Sequence, residues 1–169
     1  MKVAGFYDES ISNGLGWRAV LFVSGCPHNC PGCHNKVAQD YNYGEDFDKE
    51  TYIKRIKENS ILNGITISGG EPLCPENIEE VTNFIKAVKE EKPNFNVWCY
   101  TGYTLEELRN RKDAKTDKAL ESIVVLVDGI FIEEWKNPEI RFRGSDNQRV
   151  LDLPKCLNEN KIIELNLDI

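Results

Sequence analysis

Cys26, Cys30 and Cys33 fall within eight residues, in the run Cys26-Pro27-His28-Asn29-Cys30-Pro31-Gly32-Cys33-His34-Asn35. Thiolates at spacings of four and three converge on one centre only if the backbone loops tightly around it. Pro27, Pro31 and Gly32 suit such a loop, because proline inside a helix removes a hydrogen bond and clashes with the preceding turn. Three soft sulfur ligands point to zinc or to an iron–sulfur cluster. A structural zinc takes four ligands, and here the fourth would be His28, His34 or a distant cysteine. A cube-shaped four-iron cluster held by three protein thiolates instead keeps one iron open, which is a reactive arrangement. The cysteines alone leave both centres open.

A second chemical segment is Ser68-Gly69-Gly70-Glu71-Pro72. Paired glycines at a strand end let the backbone approach a small ligand closely. Glu71 then offers a carboxylate at the mouth, fixed by Pro72. Taken alone, the same residues read equally well as a plain tight turn. The other cysteines are scattered: Cys99 lies in the apolar stretch Phe95–Tyr100 and reads as a small core residue, while Cys74 and Cys156 sit beside prolines in expected loops.

The elements that must position these segments follow from the apolar pattern. Ala19–Val23, Ile65–Ile67 and Ile123–Val127 are short runs rich in β-branched residues, and Val97–Tyr100 is a more aromatic one. Near-continuous apolar character, rather than alternation, marks strands covered on both faces. Between them lie helical patterns: Glu76–Glu91, with Ile78, Val81, Ile85 and Val88 at helical spacing; Asp48–Asn59, with Ile53 and Ile56 inward; and shorter ones at Leu105–Arg109 and Lys118–Leu120. Strands alternating with helices predict βαβ units and a parallel sheet. At roughly 25–30 residues per unit, the chain should hold about five or six of them. A closed eightfold barrel takes ~250 residues, so the 169 residues predict an α/β fold in a single domain, 1–169, as an incomplete β/α barrel or an open sheet. The loops after the strands then carry the cysteine run, Ser68–Pro72, Thr101-Gly102-Tyr103 and Asp128-Gly129 at one common end.

Lys and Arg number 21 against 28 Asp and Glu, a net charge of −7, which supplies no basic stripe for nucleic acid. The apolar runs are too short to span a membrane, and the N-terminal residues contain no apolar stretch typical of a signal peptide. A cytoplasmic protein is expected, and six cysteines in a reducing compartment are not expected to form disulfides.

Taken together, Cys26-x3-Cys30-x2-Cys33 followed by Gly69-Gly70-Glu71-Pro72 resembles the radical S-adenosylmethionine superfamily. Further segments resemble its branch of anaerobic ribonucleoside-triphosphate reductase activating enzymes: Gly16-Trp17-Arg18, Leu21–His28, Thr66–Leu73, Trp98-x-Tyr100-Thr101-Gly102-Tyr103, Val125–Gly129 with Phe131, and Arg143-Gly144-Ser145-x-Asn147-Gln148-Arg149. The matches run in order from about residue 14 to 150. Two places depart from the pattern. Gly32 stands where many superfamily members carry an aromatic residue, with His34 where an aromatic often follows the third cysteine. Asn13-Gly14-Leu15-Gly16 replaces an approach that more often has a proline between glycines.

The resemblance implies an incomplete barrel of radical SAM type and one [4Fe–4S] cluster per chain, ligated by Cys26, Cys30 and Cys33. It implies S-adenosylmethionine on the open iron, with Gly69, Gly70 and Glu71 beside its methionine part and Gly32, Cys33 and His34 along its adenosyl side. Reductive cleavage would give methionine and a 5′-deoxyadenosyl radical, which generates a glycyl radical on the large subunit of the reductase, the protein partner. A flavodoxin or ferredoxin is the implied electron donor. Asp128 and Arg143–Arg149 read either as contacts to ligand or partner, or as a buried salt bridge capping the sheet. Arg18 reads as facing a ligand carboxylate or as paired with an acid. The alternatives are a small radical S-adenosylmethionine enzyme with a small-molecule substrate, and a zinc-stabilised module without catalysis.

Overall fold

The computed structural model of the chain describes residues 1–168. After a long first strand, β1 (Lys2–Ser10), the apolar runs form β2 (Arg18–Val23), β4 (Gly64–Gly69), β5 (Asn96–Tyr100) and β6 (Val125–Asp128), with the two-residue β3 (Glu45–Asp46) and the short β7 (Arg149–Asp152) completing the set. They make one seven-stranded sheet in the order β3-β1-β2-β4-β5-β6-β7. β2, β4, β5 and β6 are parallel neighbours, with Val20 beside Thr66, Thr66 beside Trp98 and Trp98 beside Val125. β1, β3 and β7 are added antiparallel at the margins.

The expected five or six units are therefore four parallel strands joined by three crossovers. The remaining length goes into antiparallel margins. Those strands escape a search for apolar runs because they are short or half exposed: β1 reads Lys-Val-Ala-Gly-Phe-Tyr-Asp-Glu-Ser, and only Val3 is buried in it.

The helices are α1 (Lys49–Glu58), α2 (Ile78–Glu91), α3 (Leu105–Asn110), α4 (Ala114–Ser122) and α5 (Leu153–Glu159). α3 starts in a capping box between Thr104 and Glu107, and Asp113 caps α4 through the Thr116 amide, each satisfying amides that the first helical turn leaves open. This carries α4 well beyond Lys118–Leu120. Cys156, expected in a loop, is buried on α5, and Cys74 is buried though it lies in a loop.

Alternation along the strands explains their continuous apolar character. Ala19, Leu21, Val23, Ile65, Ile67, Val97, Cys99 and Leu126 pack with the inner faces of the helices, including Ile53, Ile56, Val81, Phe84, Ile85, Val88 and Leu120. Trp98, Val125, Val127 and Val150 face the other way, into a smaller core closed by Leu15, Phe142, Leu165 and Leu167 from irregular segments. The sheet is thus covered on one face by helices and on the other by loops, and among the described residues no helix is long and apolar enough to cross a membrane.

Arg18 matches neither sequence expectation. It is fully buried at the amino end of β2, and its guanidinium donates to Thr66 Oγ1, Asn96 Oδ1 and the carbonyls of Leu15, Ile65 and Asn96, over the Trp98 ring. No carboxylate is among these partners. Burial pulls its pKa down to about 10. Its role lies in cross-linking β2, β4 and β5 at the end of the sheet opposite the cysteines.

Candidate functional site

The loops after β2, β4, β5 and β6 surround one open pocket with a volume of about 110 Å³. Cys26, Cys30 and Cys33 line it, all half-buried, together with His34, Gly69, Gly70 and Glu71. Gly32 does not form its wall. It has φ +74, a backbone conformation that favours glycine, and a Cβ there would stand 2.8 Å from the Glu133 carboxyl. His34 is exposed and stands at the rim. Gln39 and Gln148 also line the pocket; nothing in its local sequence marks Gln39, whereas Gln148 lies in the Arg143–Arg149 run.

The cysteine loop is held at its start by backbone bonds from Gly25 to Ala38 and from Cys26 to Gln39. Burial pushes the Cys26 thiol up to about 11 and raises Cys30 as well, the latter opposed by a hydrogen bond from the Phe131 backbone. A metal taken up by these sulfurs would therefore displace protons. The donor set of three soft thiols around one pocket, with no fourth cysteine, fits an iron–sulfur cluster with an open iron. Cys74, Cys99 and Cys156 are buried in the core and do not reach it.

The two glycines at the end of β4 have a reason other than ligand approach. A Cβ on Gly69, at φ +110, would collide with the Val23 backbone, and one on Gly70 would lie 2.5 Å from the Gly25 carbonyl oxygen and 2.6 Å from that of Ala38. Their absent side chains let the end of β4 close onto the cysteine loop, where Gly70 N and Glu71 N donate to Val23 and Gly25 carbonyls at 2.7 Å each. Replacing Gly70 with alanine should cost about 1–3 kcal/mol through overpacking against backbone that cannot swing away. Chemical denaturation should show it as a lowered midpoint at unchanged slope.

Glu71 is completely buried beneath this contact. Its Oε1 accepts from Leu73 N at 2.9 Å and Thr101 Oγ1 at 2.7 Å, and its Oε2 accepts from Gly102 N at 2.7 Å and contacts His28 Nε2 at 2.7 Å. Asn77, at the foot of α2, spends its amide on the Ser24 and Glu71 carbonyls. Strand ends, helix start and cysteine loop are thereby tied into one unit.

At the far wall, Asp128 and Arg149 form the salt bridge that was one of the two sequence readings. Arg149 donates to both Asp128 oxygens and to Glu106, while Leu105 N donates to Asp128 Oδ2 at 2.8 Å. Arg149 keeps Glu106 when Asp128 is removed, but the buried Leu105 N loses its acceptor, so Asp128→Ala should destabilise the chain by about 1–3 kcal/mol, measurable by thermal unfolding. Gln148 folds the Arg143–Arg149 segment onto itself: its Oε1 accepts from Gly144 N and Ser145 N, and its Nε2 donates to the Gly129 carbonyl.

An α/β sheet that gathers three thiols into a pocket at the carboxyl ends of its parallel strands has the makings of a single-cluster iron–sulfur protein, and residues 12–151 match the family described as a 4Fe-4S single cluster domain. Named relatives extend over most of the chain. The anaerobic ribonucleoside-triphosphate reductase-activating protein of Escherichia coli strain K12 is 40% identical over 149 residues, covering 86% of this chain and 94% of that one. The protein of the same name from Haemophilus influenzae is 40% identical over 152 residues, 88% of this chain and 96% of that one. The one from enterobacteria phage T4 is 37% identical over 147 residues, 85% and 89%. The chain belongs to the family of anaerobic ribonucleoside-triphosphate reductase-activating proteins.

Proposed function

We propose that residues 1–169 act as one cytoplasmic radical S-adenosylmethionine domain, an incomplete β/α barrel that activates an anaerobic ribonucleoside-triphosphate reductase. The observation that carries this reading is the meeting of three thiols and the Gly69-Gly70-Glu71 strand end in one pocket. Its support is the sequence likeness to the activating proteins named above.

Cys26, Cys30 and Cys33 would hold a [4Fe–4S] cluster by one iron each. When bound and reduced by a flavodoxin or ferredoxin, such a cluster would supply the electron for cleavage of S-adenosylmethionine to methionine and a 5′-deoxyadenosyl radical, the species that would take hydrogen from a glycine Cα of the reductase. The chain's own part is placement. Gly69, Gly70 and Glu71 would border the methionine part, while Cys33 and His34, with Gly32 behind them, would border the adenosyl side. Tyr100, Thr101, Val127 and Phe131 form further walls of the pocket. The pocket opens to the surface instead of closing over its contents, which suits a loop of a protein substrate better than a small molecule that must be sequestered.

The test mixes the reduced, anaerobically reconstituted protein with S-adenosylmethionine and an anaerobic reductase. A glycyl-radical doublet in the electron paramagnetic resonance spectrum is the expected result. Cleavage of S-adenosylmethionine without that doublet would point to another substrate, and a preparation holding one zinc and no iron would overturn the reading altogether.

A further inference from the structure

His28 is the one member of the Glu71 cluster contributed by the cysteine loop. Leu73 lies in the same turn as Glu71, and Thr101 and Gly102 follow β5, whereas His28 stands between Cys26 and Cys30. A carboxylate offers about four lone-pair sites, and Leu73 N, Thr101 Oγ1, Gly102 N and His28 Nε2 take four. The imidazole is confined as well as bonded. It lies edge-on to Tyr103 with ring centroids 4.5 Å apart, and a Cβ on Gly102 would collide with it. Gly102 carries no positive φ, so a glycine there provides space for the ring and not a special backbone turn.

We infer that His28 is a positioning residue that locks the cysteine loop to the ends of β4 and β5 through Glu71. The inference rests on the reading of Cys26, Cys30 and Cys33 as cluster ligands. Physically, the loop is pinned at Gly25 and Cys26 by backbone bonds, and its far end is closed by the turn in which Cys33 N donates to the Cys30 carbonyl. The side-chain contact of His28 with Glu71 fixes the stretch between, and with it the spacing of the first two thiols. A hydrogen bond to a buried carboxylate is among the stronger ones a protein makes, and loss of such outer supports of a metal site weakens metal retention about 10–100-fold.

The experiment follows iron release to a chelator from the anaerobically reconstituted protein, with the spectrum of the reduced cluster recorded alongside. His28→Ala should release iron at least about 10-fold faster and shift the reduced-cluster spectrum. His28→Gln should restore both, because its amide nitrogen can donate to the same Glu71 oxygen. His28→Ala combined with Glu71→Gln should be no faster than the faster single variant, since both break one lock. Gly102→Ala, which crowds the ring off its partner while leaving every residue of the loop unchanged, should resemble His28→Ala. Wild-type release from His28→Ala, failure of the glutamine to rescue, or additive effects in the double variant would each overturn the inference. A wild-type protein that assembles no four-iron cluster would instead sink the ligand reading beneath it, and S-adenosylmethionine is absent from every arm.

Discussion

Cys30→Ala is expected to abolish reductive cleavage of S-adenosylmethionine while leaving the fold intact. Cys30 is half-buried in an irregular loop, and its side chain belongs to neither hydrophobic core, so its truncation should change stability by no more than about 0.5 kcal/mol. In the proposed assignment the same sulfur is one of three ligands, and two thiolates cannot hold three irons of a cube. The expected preparation unfolds at the wild-type temperature before reconstitution, carries far less than the wild type's iron and sulfide after it, and yields no methionine from S-adenosylmethionine under reducing conditions. Full cleavage activity in this variant would show that Cys30 is not a ligand. Cys99→Ala is the matching control. That residue is completely buried, so the change should cost stability and spare the cluster.

The second large effect lies at the opposite end of the sheet. Arg18→Leu should destabilise the chain by about 3–5 kcal/mol. Burying a cation is unfavourable, which is why its pKa falls to about 10. The native structure offsets this with five acceptors, and leucine would leave Thr66 Oγ1, Asn96 Oδ1 and three carbonyls without their donor in a closed environment. Lysine keeps the charge but has a single nitrogen in place of a planar fork, so Arg18→Lys should recover only part of the loss. The linkage has a definite sign. A cation whose folded pKa is depressed binds fewer protons folded than unfolded, so this residue's contribution rises with pH above about 10 and is constant below it. The lesion is far from the thiols, about 20 Å along a six-residue strand, so cluster content in the surviving folded protein should be unchanged. Equal stability of wild type and Arg18→Leu in denaturant would refute this account.

Much of the fold was legible because burial on both faces writes a strand as a continuous apolar run, and β2, β4, β5 and β6 each carry one. Their common polarity placed four loops at one end before any coordinates. β1, β3 and β7 were not legible: strands at a sheet margin bury few residues, and a pairing partner supplies what their own sequence lacks. The same limit applied to the polar residues. Arg18 beside Gly16-Trp17 looks like a ligand contact or an ion pair until Thr66 and Asn96, 48 and 78 positions away, are seen to surround it. Gly69-Gly70 looks like a cradle for a ligand, whereas the nearest obstruction is the chain's own backbone.

The sequence by itself determined the donor set: three thiols at spacings of four and three on a loop that cannot be helical, followed by a glycine-rich turn at the next parallel strand. Donor type and local spacing are properties of covalent connectivity, so they can be read without folding anything. Tertiary structure alone decided what those groups do to one another. Whether the Glu71 carboxylate is free or saturated depends on His28, Thr101 and Gly102, which lie 43, 30 and 31 positions from it. Hydrogen bonds act over about 3 Å, and only the packing of four strand ends brings such distant residues within that reach.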